Sequence, residues 1–313
     1  MVLCGARYNL WMLFLKRGRE EMLLALQFYC HMKLFGASIE KYNVVLSNDT
    51  GYEAYPYLRA EGKVDAMMYL VSPLHGRSYL VGQRDKRYII SKGNGLSYSD
   101  FLFLNTLEMG ADSWGLLLKQ DSIRDFVVGN EVRKLGVKTN SMEYVLELQR
   151  TIEFSNGLQL KPALLQYSVE CPYRISDAAF MSKSQIEEWV LRWDSMCDKR
   201  YESYYLMAAE VLICNLKVLH SNGILHNAIS IQNYTWALEL LDFELAHSPA
   251  FPKTSEDAKR HIPILFSREI IHTYEIIVYI AGCLGEEVNF CKISEMFQYY
   301  GYDLAEYKAT FIE

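Results

Sequence analysis

The sequence predicts an α+β protein built as two lobes, a β-rich first lobe and a helical second one. Two observations carry this. Between residues 64 and 92 three short runs, "VDAMMYLV", "SYLVGQ" and "RYIISK", are separated by "SPLHGR" and "RDK", the pattern of a small antiparallel sheet with tight connections. Beyond Arg174 the apolar residues recur at helical spacing instead. Half of the 313 residues are apolar, enough for a sizeable core.

In chain order, residues 1–60 are expected as an N-terminal helical extension. Within them "GREEMLLALQFYCHMKLF" (18–35) pairs an acidic start with helical apolar spacing. Residues 61–172 form the first lobe. It holds the three strands above, a helix over 119–135 ending at Gly136, a plausible C-cap, and two further strand candidates, "MEYVLELQRTIEF" and "KPALLQYSVE", joined at "SNG". A crossover near 170–176 leads to the helical lobe, residues 173–313. There "SQIEEWVLRWDSM" opens with Ser184 and Glu187 at capping-box spacing. The helix "YESYYLMAAEVLICNLKVLHSNG" sets Leu206, Ala209, Leu212, Ile213, Leu216 and Leu219 on one face and stops at Gly223. A loop follows, then a strand "ALELL" leading into Asp242, and a helix over 268–281.

Composition excludes several classes. A net charge of −6, with the two signs mixed along the chain, argues against nucleic acid as the main partner. The apolar run "LWMLFL" is too short to span a bilayer, and neither a membrane span nor a secretory signal is expected. Seven scattered cysteines, odd in number and never in a CxxC pair, suggest neither a disulfide framework nor a zinc site. A reducing, cytoplasmic setting is expected. No repeat or low-complexity linker interrupts the chain.

The chemistry concentrates in "LHNAISIQNYTWALELLDFELAH", residues 225–247. His226 opens it, Asn233 follows seven residues on, and Asp242 begins an Asp-Phe pair. Asn233 and Asp242 offer hard oxygen ligands suited to Mg²⁺. Lys92, followed by Gly93, Asn94 and Gly95, offers an ammonium beside a flexible turn, and Asp125 in "SIRD" could pair with it. Cations at phosphates and oxygen ligands for a metal are what phosphoryl or nucleotidyl transfer needs. The spacing resembles a protein-kinase catalytic loop, with the architecture of a protein-kinase-like bilobal fold. The position two after the His, where kinases keep a proton-accepting Asp, is Ala228. Each residue has a plainer reading: Lys92 as a strand-end lysine, Asp125 as a solvated helix carboxylate, Asn233 and Asp242 as loop-capping groups, Arg174 as a surface ion-pair partner. His226 reads as structural, packed under the loop.

Together, "IISKGNGLSYS", "DSIRDFVVGNEVRKLGVKTN", "PYRIS" and "HNAISIQN…LLDFE" resemble, in order and nearly in spacing, the motifs of the selenoprotein O family over residues 88–245. That family has a kinase-like fold, binds ATP and Mg²⁺ with the nucleotide flipped, and transfers AMP to protein hydroxyls. The resemblance implies that Lys92, with Gly93 and Gly95 beside it, holds phosphates, that Asp125 stands for the Lys-pairing Glu, that Arg174 is a phosphate contact, and that Asn233 and Asp242 bind metal. The second phosphate-binding Arg falls on Tyr167. The position of the family's proton acceptor, immediately before the metal-binding Asn, is Gln232, whose amide is no general base at neutral pH; Glu244 and Asp177 are the candidate substitutes. The implied function is AMP or phosphate transfer from ATP to a protein or peptide hydroxyl. The alternative is a pseudokinase that binds nucleotide and regulates a partner.

Overall fold

A computed structural model describes residues 33–60, 62–72, 76–95, 115–153, 157, 159–194, 203–252 and 256–304. The first lobe is one eight-stranded sheet with every described pair antiparallel. Its strands are β1 (Lys33–Ile39), β2 (Tyr42–Ser47), β3 (Tyr57–Arg59), β4 (Ala66–Leu70), β5 (Ser78–Arg84), β6 (Arg87–Lys92), β7 (Ser141–Leu148) and β10 (Ala163–Val169). The spatial order is β2-β7-β10-β6-β5-β4-β1-β3. The short strands β8 (Ile152–Glu153) and β9 (Gln159–Leu160) pair only with each other. The expected strands at 64–71, 78–83, 87–92 and 161–170 are present. The run from 142 divides into β7 and β8, because Arg150 and Thr151 leave the ladder.

Residues 33–59 correct the expected helical extension: they supply three strands of the sheet. Lys33–Phe35 ends the segment read as a helix, yet it starts β1, whose backbone bonds to β4 on one side and β3 on the other. A continuous apolar run does not separate strand from helix by period, and cross-strand pairing decides. The remainder of that helix expectation, residues 18–32, lies outside the described residues.

The helix α1 (Lys119–Lys134) packs across β7 and β10 and turns Asp125, Phe126, Val128 and Val132 inward. A short 3₁₀ turn (Ile175–Phe180) follows the crossover. The second lobe holds α2 (Lys183–Asp194), α3 (Tyr204–Ser221), α4 (Glu256–Leu284) and α5 (Phe290–Tyr299), with α3 packed on α4 and α5. The capping box of α2 sits two residues before the expected pair. The Ser182 backbone N–H donates to Gln185 Oε1 at 2.8 Å, and Gln185 N–H to Ser182 Oγ at 3.3 Å. All six apolar residues named on α3 are buried. "ALELL" is not a strand: Leu238 turns at φ +59°, and Leu240 makes only isolated bridges to Thr139 and Tyr234. One hydrophobic core runs through both lobes, from Leu80 and Leu165 in the sheet through Tyr173 at the crossover to Leu212, Ile277 and Phe297. No helix among the described residues is long and apolar enough to cross a membrane.

Candidate functional site

Lys92 is the last residue of β6, flanked by β5 and β10 in the middle of the sheet. The chain leaves the strand at Gly93 with φ +98°, a conformation open to glycine; a Cβ there would lie 2.6 Å from the Ala163 carbonyl oxygen. The turn leaves the lysine buried between the sheet, α1 and the loop carrying Asp242. Its side chain is 2 % exposed, so its charge must be matched.

Three carboxylates match it. Lys92 Nζ is 3.0 Å from Asp125 Oδ2, 2.7 Å from Asp242 Oδ1 and 3.1 Å from Glu244 Oε2. These groups come from a strand, a helix and a loop. Asp125 Oδ1 also accepts the Phe243 backbone N–H at 2.9 Å, which ties α1 to the Asp-Phe segment. Burial alone pulls the Lys92 ammonium toward deprotonation, but Asp125, Asp242 and Glu244 together carry its pKa well above the ordinary lysine value. Burial pushes the Asp242 carboxyl up; Lys92, Arg77 and Arg174 outweigh that and hold it far below the usual range. Asp125 is raised, first by burial and also by neighbouring Asp242, although Lys92 opposes both. Asp242 sits at φ +71°, an uncommon backbone for a non-glycine residue.

The loop is braced from below. His226 is buried, with Nε2 2.8 Å from the Leu241 carbonyl and Nδ1 accepting the Ala228 N–H at 3.3 Å. Those partners require the neutral Nε2–H tautomer, and burial lowers its pKa in the same direction. These contacts and the edge-on Phe243 ring pack it under the loop. Asn233 donates Nδ2–H to the Ala228 carbonyl at 2.8 Å, and its Oδ1 accepts Arg174 Nη1 at 3.3 Å. Arg174 also donates to the Gln232 carbonyl at 2.7 Å. The structure thus joins Lys92, Asp125 and Asp242 directly, and Arg174 and Asn233 in a second group beside them.

A divalent cation such as Mg²⁺ takes oxygen donors. Asp125, Asp242 and Glu244 have carboxylate oxygens all within 4.8 Å of one another, with the Lys92 ammonium bound to each. The lysine engages Oδ1 of Asp242, so the other oxygen could ligate an ion. Asn233 could join it after Arg174 lets go of Oδ1. Among the described residues the carboxylates close enough to share a cation are Asp125, Asp242 and Glu244, and Asn233 is not one of that group.

Neither candidate base stands free. Asp177 accepts the Ser72 hydroxyl at 2.5 Å and the Arg174 N–H at 2.7 Å, stitching the first lobe to the crossover. Glu244 bridges Lys92 and Arg77, the latter at 2.5 Å. Gln232 is exposed and lines an open pocket of about 300 Å³ with Asn227, Ala228, Ser230, Arg268 and His272. Tyr167 is buried in β10 and lines the interlobe cavity with Val71, Ile90, Arg174 and Leu241. That cavity holds only about 20 Å³, room for roughly one water.

Arg77 was missed by sequence reasoning, which treated "SPLHGR" as a connection. An arginine just ahead of a strand paired with the lysine-bearing strand was the available signal. Glu239 was missed as well. Buried under the crossover, it accepts the Glu170 N–H at 2.9 and 3.0 Å and Arg87 Nη2 at 3.0 Å.

These contacts decide the architecture: an antiparallel sheet whose central-strand lysine is ion-paired to a helix carboxylate, over a helical lobe presenting the His-to-Asn loop and Asp242. The fold is bilobal, α+β and kinase-like. No family model matches the chain, and no curated protein matches it. Among solved structures it is similar to a Stt7 homolog from Micromonas algae, from a crystal soaked with ATP, at 14% identity over 82% of each chain with TM-score 0.37. It is also similar to the Toxoplasma gondii specific rhoptry antigen kinase domain, at 9% identity over 78% of this chain and 85% of the other, with TM-score 0.32. Overlaps this loose add nothing to the strand order and the Lys92 contacts. Neither names the selenoprotein O family.

Proposed function

We propose that this chain binds Mg·ATP between its lobes and transfers AMP or phosphate to a protein or peptide hydroxyl, as the resemblance to selenoprotein O implies. The observation that carries the reading is the Lys92 ammonium within 3.0 Å of both Asp125 and Asp242. A buried lysine so matched suits a polyanionic ligand, because it stays charged. Asp242 and Asn233 would hold the metal, which supplies charge neutralisation at the phosphates, and Lys92, the Gly93–Gly95 turn and Arg174 would contact the phosphates. A cavity of about 20 Å³ is far below the roughly 300 Å³ of a ligand site, so nucleotide binding requires the lobes to part. The acceptor would reach phosphorus from the pocket lined by Ala228 and Gln232. Its hydroxyl oxygen bonds to the α- or γ-phosphorus, pyrophosphate or ADP leaves, and the hydroxyl proton passes to solvent.

One observation favours a second reading, the pseudokinase. Gln232 is an amide, and the two carboxylates that could replace a base, Asp177 and Glu244, are engaged in other pairs. ATP labelled at the α- or γ-phosphate, given to the parent and to Gln232→Asp, separates the readings. Transfer by the parent, raised about a hundredfold in Gln232→Asp by a restored proton acceptor, supports the enzyme. Label on the acceptor from the α-position identifies AMP transfer, and from the γ-position alone phosphate transfer. No transfer by either form, with Mg·ATP binding confirmed, refutes the enzyme and leaves the pseudokinase.

A further inference from the structure

We propose that Arg77 and Lys92 together form the phosphate subsite of the cleft, and that the Glu244 carboxylate occupies it as an internal anion until a ligand's phosphates displace it. This rests on the nucleotide-binding reading above and extends it to two residues, Arg77 and Glu244, and to a mode of regulation.

The two cations are pre-organised by backbone. Arg77 precedes β5 and Lys92 ends β6, and the Arg77 carbonyl accepts the N–H groups of Gly93 at 2.9 Å and Asn94 at 3.4 Å. A single carboxylate then spans both: Glu244 Oε1 lies 2.5 Å from Arg77 Nη2, and Oε2 lies 3.1 Å from Lys92 Nζ. A carboxylate held between a guanidinium and an ammonium has the charge and oxygen spacing of one face of a phosphate.

Glu244 also has the weakest hold on Lys92 of the three carboxylates. Its Oε2 is buried without a well-aligned hydrogen bond, so its contact with Lys92 is charge attraction without the directional part. Asp125, by contrast, is pinned by both Lys92 and the Phe243 N–H. When Glu244 swings out, Lys92 keeps Asp125 and Asp242, and Arg77 gives up its contact with Glu244. Both Glu244 and Arg77 retain some exposure, 13% and 18%, so the carboxylate has a path to water. The exchange replaces one negative charge with the several of a polyphosphate and leaves no cation unmatched. It makes affinity depend on the fraction of chains in which Glu244 has let go.

The test is calorimetric titration of inorganic tripolyphosphate, and separately of Mg·ATP, into the full chain and into Glu244→Gln and Arg77→Gln. Removing the internal competitor should tighten both ligands about tenfold. Removing Arg77 should weaken both by about tenfold, the size of one charge-assisted hydrogen bond. Melting curves establish that each variant is folded, and Glu244→Ala replaces Glu244→Gln if the latter is not. If the parent binds Mg·ATP and neither variant alters either affinity, the subsite is wrong while the nucleotide-binding reading stands. If no form binds Mg·ATP or tripolyphosphate, the nucleotide-binding reading fails and this proposal with it.

Discussion

Replacing Lys92 by methionine keeps most of the side chain's volume and removes its charge, which isolates the electrostatics of the cluster. Asp125, Asp242 and Glu244 would then face one another with oxygens within 4.8 Å. Arg77 remains bonded to Glu244, and Arg77 and Arg174 still act on Asp242. At an effective dielectric of about 20, one contact at 3.0 Å has a gross attraction of roughly 5 kcal/mol. Part of that is offset by the desolvation of the lysine, which the methionine avoids. Breaking a buried pair by removing one partner costs about 3–5 kcal/mol, and the two further carboxylates put Lys92→Met toward the upper end. The pH dependence has a definite sign. Burial and Asp242 already raise Asp125, and without the lysine its folded-state pKa rises further above the unfolded value. The variant therefore suffers most at pH values above that raised pKa and recovers as pH falls and Asp125 takes up a proton. Urea unfolding of parent and variant at pH 8 and pH 5 measures both effects. A stability gap under about 1 kcal/mol at pH 8, or a gap no smaller at pH 5, would refute the account of Lys92 as the cluster's neutralising centre.

Two more expectations concern the scaffold. Glu239 is pushed by burial up to about 7 from 4.5, against the pull of Arg87, the Glu170 N–H and Lys138, with the Glu170 carboxylate adding to the rise. A raised acid favours the folded state most at low pH, so its contribution falls as pH climbs from about 4.5 to about 7 and is level above that, with a slope of up to about 1.4 kcal/mol per pH unit. The stability difference between parent and Glu239→Gln, from urea unfolding at pH 5, 6, 7 and 8, should follow that slope; a flat difference contradicts it. Gly93→Ala forces a left-handed backbone at φ +98° and a methyl 2.6 Å from a carbonyl oxygen, so it should lose at least about 1–3 kcal/mol in the same assay. An unchanged unfolding midpoint would mean that the turn after β6 relaxes freely.

Legibility followed the range of the interactions. Helix α3 was readable from its own apolar stripe, and both α1 and α3 from a glycine close behind the end, Gly136 and Gly223. Strands β5 and β6 were readable because a two-residue turn at Asp85 and Lys86 joins them. The strands at 33–59 were not, because their partners are fixed only by the assembled sheet. "ALELL" looked like a strand by composition, but the Thr235 hydroxyl accepts the Glu239 N–H and closes it into a turn.

The sequence by itself determined the list of chemical groups: a lysine at a strand end, a carboxylate in "SIRD", an arginine after the crossover, and an Asn-to-Asp loop without a base. Those follow from residue type and short spacing, which covalent connectivity preserves. Which of them meet was decided only by the tertiary structure. Lys92, Asp125 and Asp242 lie far apart in the chain and touch because a strand, a helix and a loop converge on one buried charge. Folding likewise turned Asn233 toward Arg174, engaged Asp177 with Ser72, and set Glu244 between Arg77 and Lys92. A charge taken out of water must be matched by whatever side chains the packing brings near, and packing is a property of the whole chain.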